Sequence, residues 1–134
     1  METIPRRTND VDTRTLARTI AAGRVAIGTA MVVVPGLTTA GWLGAEAKRP
    51  ATKAVVRAAG VRDALIGLGT IRALEQDDEV RPWLLAGALS DGVDAVATLL
   101  AYKHLPKRRR FLALVFMAGA AVAGVAVAGQ VDEG

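Results

Sequence analysis

The sequence contains no cysteine and a single histidine, His104, among its 134 residues. Without cysteine the chain forms no disulfide and carries no thiol chemistry. One histidine without cysteine cannot build an ordinary zinc or haem site. No serine is paired with this histidine at a spacing typical of nucleophilic catalysis. We therefore expect no metal, no cofactor and no enzymatic activity.

Charged residues are scarce over one long stretch. Residues 111–129 carry no charge and are rich in alanine and glycine. Eight of them are Leu, Val or Phe, each of which favours membrane insertion by about 0.3 to 0.6 kcal/mol. The chain as a whole is 51% hydrophobic with a mean hydropathy of +0.32, which is high for a soluble protein. Residues 111–129 are therefore the strongest transmembrane segment that the sequence predicts.

Three further apolar segments precede it, at residues 16–34, 52–74 and 82–102. Together the four segments predict an all-α fold, a four-transmembrane-helix bundle over residues 16–130. Residues 1–15 are expected to form a flexible polar tail, and residues 131–134 an acidic tail. Basic residues precede the first apolar run, as they do in a signal peptide, but this run is long and holds Arg24 at its middle, so a cleaved signal peptide is the less favoured alternative.

The segment at residues 82–102 has two carboxylates near its middle, Asp91 and Asp94. On a helical wheel, the face of Asp91 also holds small or polar residues such as Gly87 and Thr98, whereas Leu85 and Leu89 lie opposite. A central Asp or Arg costs about 2.5 to 3.5 kcal/mol on insertion, so this helix needs a partner in the membrane.

Arginines and aspartates occur near the middle of three predicted helices: Arg24, Arg62, Asp63, Asp91 and Asp94. We expect them to form an intramembrane charge cluster. Two cations face three anions, so one carboxylate is expected to hold a proton or a cation. We take the least paired acid to be Asp94. Two interpretations stay open: structural ion pairs that fix helix order, or a site for a proton, an ion or a ligand.

The remaining signals concern the membrane surfaces. A basic cluster, Lys107, Arg108, Arg109 and Arg110, is expected to contact anionic lipid headgroups on the cytoplasmic side, and not nucleic acid. Three aromatic residues suit the interfacial belts: Trp42, Trp83 and Tyr102. The connections 36–53 and 103–110 hold eight Lys or Arg, against four on the opposite side, so both termini are predicted to be non-cytoplasmic.

Three short motifs carry a resemblance to a known group of proteins. They are Gly23-Arg24-Val25-Ala26-Ile27-Gly28, the run from Gly60 to Gly67, and Ser90-Asp91-Gly92-Val93-Asp94. Together they resemble the small four-helix bacterial integral membrane proteins of unknown function, DoxX-like in broad layout. The resemblance implies a four-helix membrane fold and conveys no activity.

These observations predict a multi-pass protein of the cell membrane with a structural, accessory or lipid-binding or partner-binding role. Its expected partners are membrane lipids and a larger membrane complex or further copies of the chain. The alternative function is a transport element for protons, small ions or solutes that uses the central aspartates.

Overall fold

The computed structural model describes residues 7–100 and 107–131, and these residues are almost entirely helical. Five α-helices follow one another: α1 (Arg7–Val33), α2 (Pro35–Leu43), α3 (Pro50–Gln76), α4 (Arg81–Leu100) and α5 (Lys107–Val131). A 3₁₀ helix, Gly44–Lys48, joins α2 to α3. The described residues contain no strand, which confirms the prediction of an all-α fold.

Prolines set the two helix boundaries in the first half of the chain. Val34 and Arg49 have non-helical backbone angles, and each directly precedes a proline that opens the next helix. The proline ring clashes with a helical conformation of the residue before it, whereas proline itself suits the first helical position. The long helix α1 therefore ends at Val33, and α2 begins as a separate helix at Pro35.

The helices extend beyond several predicted bounds. Helix α1 begins at Arg7, so residues 7–15 are helical and do not form the predicted flexible tail. Residues 36–50, predicted as a connection, contain α2 and the 3₁₀ helix. The basic cluster Lys107 to Arg110 was predicted to lie in a connection between helices, but it forms the first helical turn of α5. The predicted acidic tail, apart from Val131, lies outside the described residues.

Two antiparallel helix pairs make up the bundle. In the first pair, α1 and α3 approach closely, because a Cβ atom on Gly60 would lie 2.6 Å from the carbonyl oxygen of Gly28. In the second pair, α4 packs on α5, with Gly124 against Ala88 and Thr98 against Met117. Contacts between the two pairs are much sparser than those within each pair.

The interior of the bundle is built from small side chains. Six of the eleven buried hydrophobic residues in the described part of the chain are alanines, including Ala17 and Ala128. The exterior carries the large side chains: twenty large apolar residues of the described chain are exposed, among them Leu89 and Leu100 on α4. Leu84 and Gly87 are buried beside Asp91, while Leu85 and Leu89 are exposed, which confirms the two faces predicted for this helix.

Two helical stretches among the described residues are long and apolar enough to cross a membrane, Asp12–Val33 and Arg81–Leu100. Four such helices were predicted. Helix α3 is not among the candidate spans, because it carries several charged residues, including Arg62 and Asp63 near its centre. In α5, the stretch Met117–Val131 is apolar but shorter than a full span.

Candidate functional site: an alternating arginine and aspartate network

The structure brings all five predicted central charges together. Arg24 comes from α1, Arg62 and Asp63 from α3, and Asp91 and Asp94 from α4. Their side chains alternate in sign in one continuous chain of contacts, which runs Asp91, Arg24, Asp63, Arg62, Asp94. The network therefore joins the α1/α3 pair to α4.

Arg24 is the link between three helices. Its Nη1 donates to Oδ1 of Asp63 at 3.3 Å, and its Nη2 donates to Oδ2 of Asp91. Gly87 of α4 provides the space for this guanidinium, because a Cβ atom there would lie 3.0 Å from the Nε and Nη2 atoms. One arginine thus satisfies two carboxylates on different helices.

Arg62 forms the outer half of the network. Its Nη1 and Nη2 donate to the two carboxylate oxygens of Asp94, at 3.1 and 2.6 Å. The same guanidinium also donates to Oδ1 of Asp63, at 3.2 Å from Nη2. Bidentate pairing of this kind is among the stronger forms of charge-assisted hydrogen bond.

This geometry corrects the expectation that Asp94 is the least paired acid. Asp94 holds both of its oxygens against Arg62, and Asp63 is shared between both arginines, whereas Asp91 contacts Arg24 alone. The helical wheel places Asp94 on the same face of α4 as Asp91. It carries no information about α3, so it does not indicate that Arg62 lies opposite Asp94.

Burial divides the network into two halves. The side chains of Arg24, Asp63 and Asp91 are 13%, 16% and 12% exposed, whereas those of Arg62 and Asp94 are 33% and 34% exposed. No buried side-chain nitrogen or oxygen atom in the described chain lacks a hydrogen-bond partner. The inner half is therefore closed and fully paired, and the outer half reaches the surface of the bundle.

The charges are also divided unequally between the helix pairs. The α1/α3 pair contributes Arg24, Arg62 and Asp63, a net charge of +1, and α4 contributes Asp91 and Asp94, a net charge of −2. Separation of the two pairs would expose uncompensated charge on both sides. The network consequently stabilises the interface between the two pairs, where contacts are sparser than within each pair.

In comparisons with known proteins, the chain matches no family model, no curated protein and no solved structure. What the site does must therefore be argued from its own geometry. The described residues contain no group of three or more His, Asp or Glu side chains arranged to hold a metal ion. The three aspartates are separated by guanidinium groups, which occupy the positions that a cation would need.

The predicted surface residues are only partly described. Trp83 lies in the first turn of α4, is partly exposed, and packs against Gly69 of α3. Tyr102 lies outside the described residues, as do the side chains of Trp42 and of the basic cluster Lys107 to Arg110. Among the glycines of α5, Gly124 contacts α4, whereas a Cβ on Gly119 or Gly129 would meet nothing within 4 Å.

Two arginines that sequence analysis did not single out cap the α1/α3 pair. Arg14 of α1 donates to the carbonyl oxygen of Leu74 at the end of α3, at 2.7 Å, and pairs with Asp77 at 2.9 Å. Arg57 of α3 donates to the carbonyl oxygen of Val32 at the end of α1, at 3.1 Å. Cations satisfy the free carbonyls at helix C-termini. Their positions near helix ends are visible in the sequence, but the helix end that each one faces is not.

Proposed function

We propose that this chain is a small integral membrane protein with a structural or accessory role, whose bundle is held by the Arg and Asp network. The observation that carries the proposal is the distribution of side chains, with small and charged residues inside and large apolar residues outside. Only 17% and 22% of the residues in an apolar 18-residue stretch of each candidate span are buried, whereas the core helix of a soluble protein would be mostly buried. Lipid is the environment that such an exterior fits.

In this proposal, α3 and α5 complete a four-helix membrane bundle with α1 and α4. Helix α3 would not insert favourably by itself, because Arg62 and Asp63 lie near its centre. Beside α1 and α4, these two charges have partners at hydrogen-bond distance. The exposed face of α4 also lines an apolar groove of about 1020 Å³, which suits a hydrocarbon environment.

Extraction of membranes tests this proposal directly. We expect the full-length protein to stay in the membrane pellet after washes with high salt and then with alkaline carbonate. A peripheral protein held by its basic residues would leave in the salt wash, since screening weakens surface charge interactions. Release of the protein by either wash would overturn the proposed membrane integration.

The closed pairing of the network favours a scaffold over a catalyst. Each aspartate has an arginine partner, and the inner half of the network is almost shielded from solvent. Such a network fixes the order and register of helices without chemical turnover. We propose no enzymatic activity, and we propose membrane lipids and a larger membrane complex or further copies of the chain as partners.

A second candidate function is a proton-conducting element. The observation in its favour is the excess of one carboxylate over the arginines, combined with the greater exposure of Arg62 and Asp94. A proton could enter through this outer half and neutralise the excess charge. Conduction requires a path to both faces, so a closed inner half opposes it.

Proteoliposomes containing a trapped pH-sensitive dye separate the two candidates. For a scaffold, proton influx under an imposed gradient equals that of empty vesicles, and Asp91→Asn does not change it. A conducting element gives influx above that of empty vesicles, and Asp91→Asn abolishes this influx. The second result would replace the structural role with the transport role.

A further inference from the structure

A pocket of about 420 Å³ lies where the end of α1, helix α2 and the start of α3 meet. Three basic side chains line it: Lys48 from the 3₁₀ helix, and Lys53 and Arg57 from the first turns of α3. No acidic side chain is among the described residues around this pocket. The charged part of the pocket lining is therefore entirely basic.

Two of these cations lack an ionic partner. Neither Lys48 nor Lys53 forms an ion pair within residues 7–100 and 107–131, and Glu46, the nearest acid in sequence, pairs with Arg49 at 3.1 Å. The Lys53 side chain runs along the start of α2, since a Cβ atom on Gly36 would lie 3.7 Å from its Cε. Arg57 is fixed beside the pocket by its hydrogen bond to the Val32 carbonyl.

The rest of the pocket lining is mainly apolar. Val33, Val34 and Leu37 line it and are also exposed on the exterior of the bundle. A ligand that fits both sides has an anionic head for the lysines and a hydrocarbon part for the valines and the leucine. A free inorganic anion would leave the apolar wall exposed.

We propose that this pocket binds the phosphate headgroup of an anionic phospholipid through Lys48, Lys53 and Arg57, with an acyl chain against Val33, Val34 and Leu37. The inference deepens the proposed membrane role and rests on it. It assigns a specific lipid site to residues other than the basic cluster Lys107 to Arg110. Basic residues near a membrane surface attract anionic lipid by about 1 kcal/mol each.

The test is a lipid titration of the purified full-length protein in a neutral detergent, followed by thermal unfolding. We expect phosphatidylglycerol to raise the midpoint temperature, and phosphatidylcholine or inorganic phosphate to have little effect. In K48Q/K53Q, the phosphatidylglycerol concentration for half-maximal stabilisation rises by about 30-fold, which corresponds to about 1 kcal/mol for each lysine.

Two control variants make the result specific. R18Q/R72Q removes the same charge from arginines towards the opposite end of the α1/α3 pair, at least about 20 Å along the helices from the pocket, and its titration shifts by less than about 3-fold because salt screens charges over that distance. K48R/K53R keeps both cations and behaves like the wild type. Equal stabilisation by phosphatidylcholine, full stabilisation by inorganic phosphate, or an unchanged K48Q/K53Q titration would each overturn the lipid site. Carbonate extraction reports on membrane integration separately, so failure of one proposal does not mimic failure of the other.

Discussion

Asp63 is the central residue of the network, because both arginines contact the same oxygen atom of its carboxylate. It lies at the midpoint of α3, where a helix has no free backbone groups to help neutralise a charge. If Asp63 is neutralised, Arg24 keeps Asp91 and Arg62 keeps Asp94. Of these two pairs, Arg24 with Asp91 is the more buried, so it is the part of the network on which stability depends most.

Loss of Arg24 is predicted to be the most damaging single change in the network. Arg24→Gln leaves Asp91 buried without a cation, and breaking a buried pair in this way costs up to about 3 to 5 kcal/mol. Access to water or headgroups in a micelle reduces the cost towards the lower end. Reversible unfolding in mixed micelles measures it.

A second substitution tests whether the unpaired charge is the cause. Adding Asp91→Asn to Arg24→Gln removes that charge, and we expect the double variant to regain at least about 1 kcal/mol relative to Arg24→Gln. If the two substitutions add without recovery, the Arg24 and Asp91 side chains do not interact in the folded protein.

Because the Asp94 side chain is more exposed than that of Asp91, we expect its replacement to destabilise the protein less. Asp94→Asn disrupts a pair that is one third exposed, and such pairs contribute about 0 to 1 kcal/mol. Asp91→Asn weakens a buried charged hydrogen bond, which is worth about 1.5 to 3 kcal/mol. Unfolding the two variants side by side compares them, and a larger loss for Asp94→Asn would contradict the division of the network into a buried and an outer half.

At the scale of helices, the α1/α3 contact depends on glycine. A Cβ on Gly60 would lie 2.6 Å from the Gly28 carbonyl oxygen and 2.7 Å from the Met31 Cβ, so Gly60→Ala forces the helices apart. Overpacking of this kind costs about 1 to 3 kcal/mol. The same micellar unfolding assay measures the loss.

Gly23 of α1 is the matched control for this substitution. A Cβ there would meet nothing within 4 Å, so Gly23→Ala adds a methyl group without a clash. Because alanine favours helix over glycine, we expect an increase in stability of up to about 1 kcal/mol. Similar losses in Gly23→Ala and Gly60→Ala would mean that the close contact of α1 and α3 at Gly60 is not the cause of the loss.

For the whole molecule, the distribution of basic residues predicts the orientation of the proposed membrane bundle. Lys48, Arg49 and Lys53 lie at the end of the bundle where α1 finishes and α3 begins, whereas Arg14 at the opposite end is paired with Asp77. Basic residues favour the cytoplasmic side. Both termini are then expected to be non-cytoplasmic.

Reporter fusions at Gly134 measure this orientation. We expect a fused alkaline phosphatase to be active and a fused fluorescent protein, which folds only in the cytoplasm, to be dark. A matched fusion within residues 103–106 gives the opposite pattern. A fluorescent fusion at Gly134 would reverse the assignment, with Arg6, Arg7 and Arg14 then acting as the dominant positive charges.

The sequence by itself determined that the protein is helical and where the charged residues lie along each helix. Apolar segments of about 20 residues bounded by proline and charge specify helices, because their hydrogen bonds are local. Arg24, Asp63 and Asp91 each lie near the middle of a predicted helix. They were therefore expected at similar heights along the axis of the bundle. The face of α4 that carries Asp91 followed from the helical period.

Only the tertiary structure decided which arginine meets which aspartate. The partners are separated by 39 residues for Arg24 and Asp63, 67 for Arg24 and Asp91, and 32 for Arg62 and Asp94. Their contacts depend on the lateral order and rotation of whole helices, which local preferences do not encode. The start of α1 at Arg7 also depends on tertiary contacts. Arg14 of α1 contacts Leu74 and Asp77 at the C-terminal end of α3.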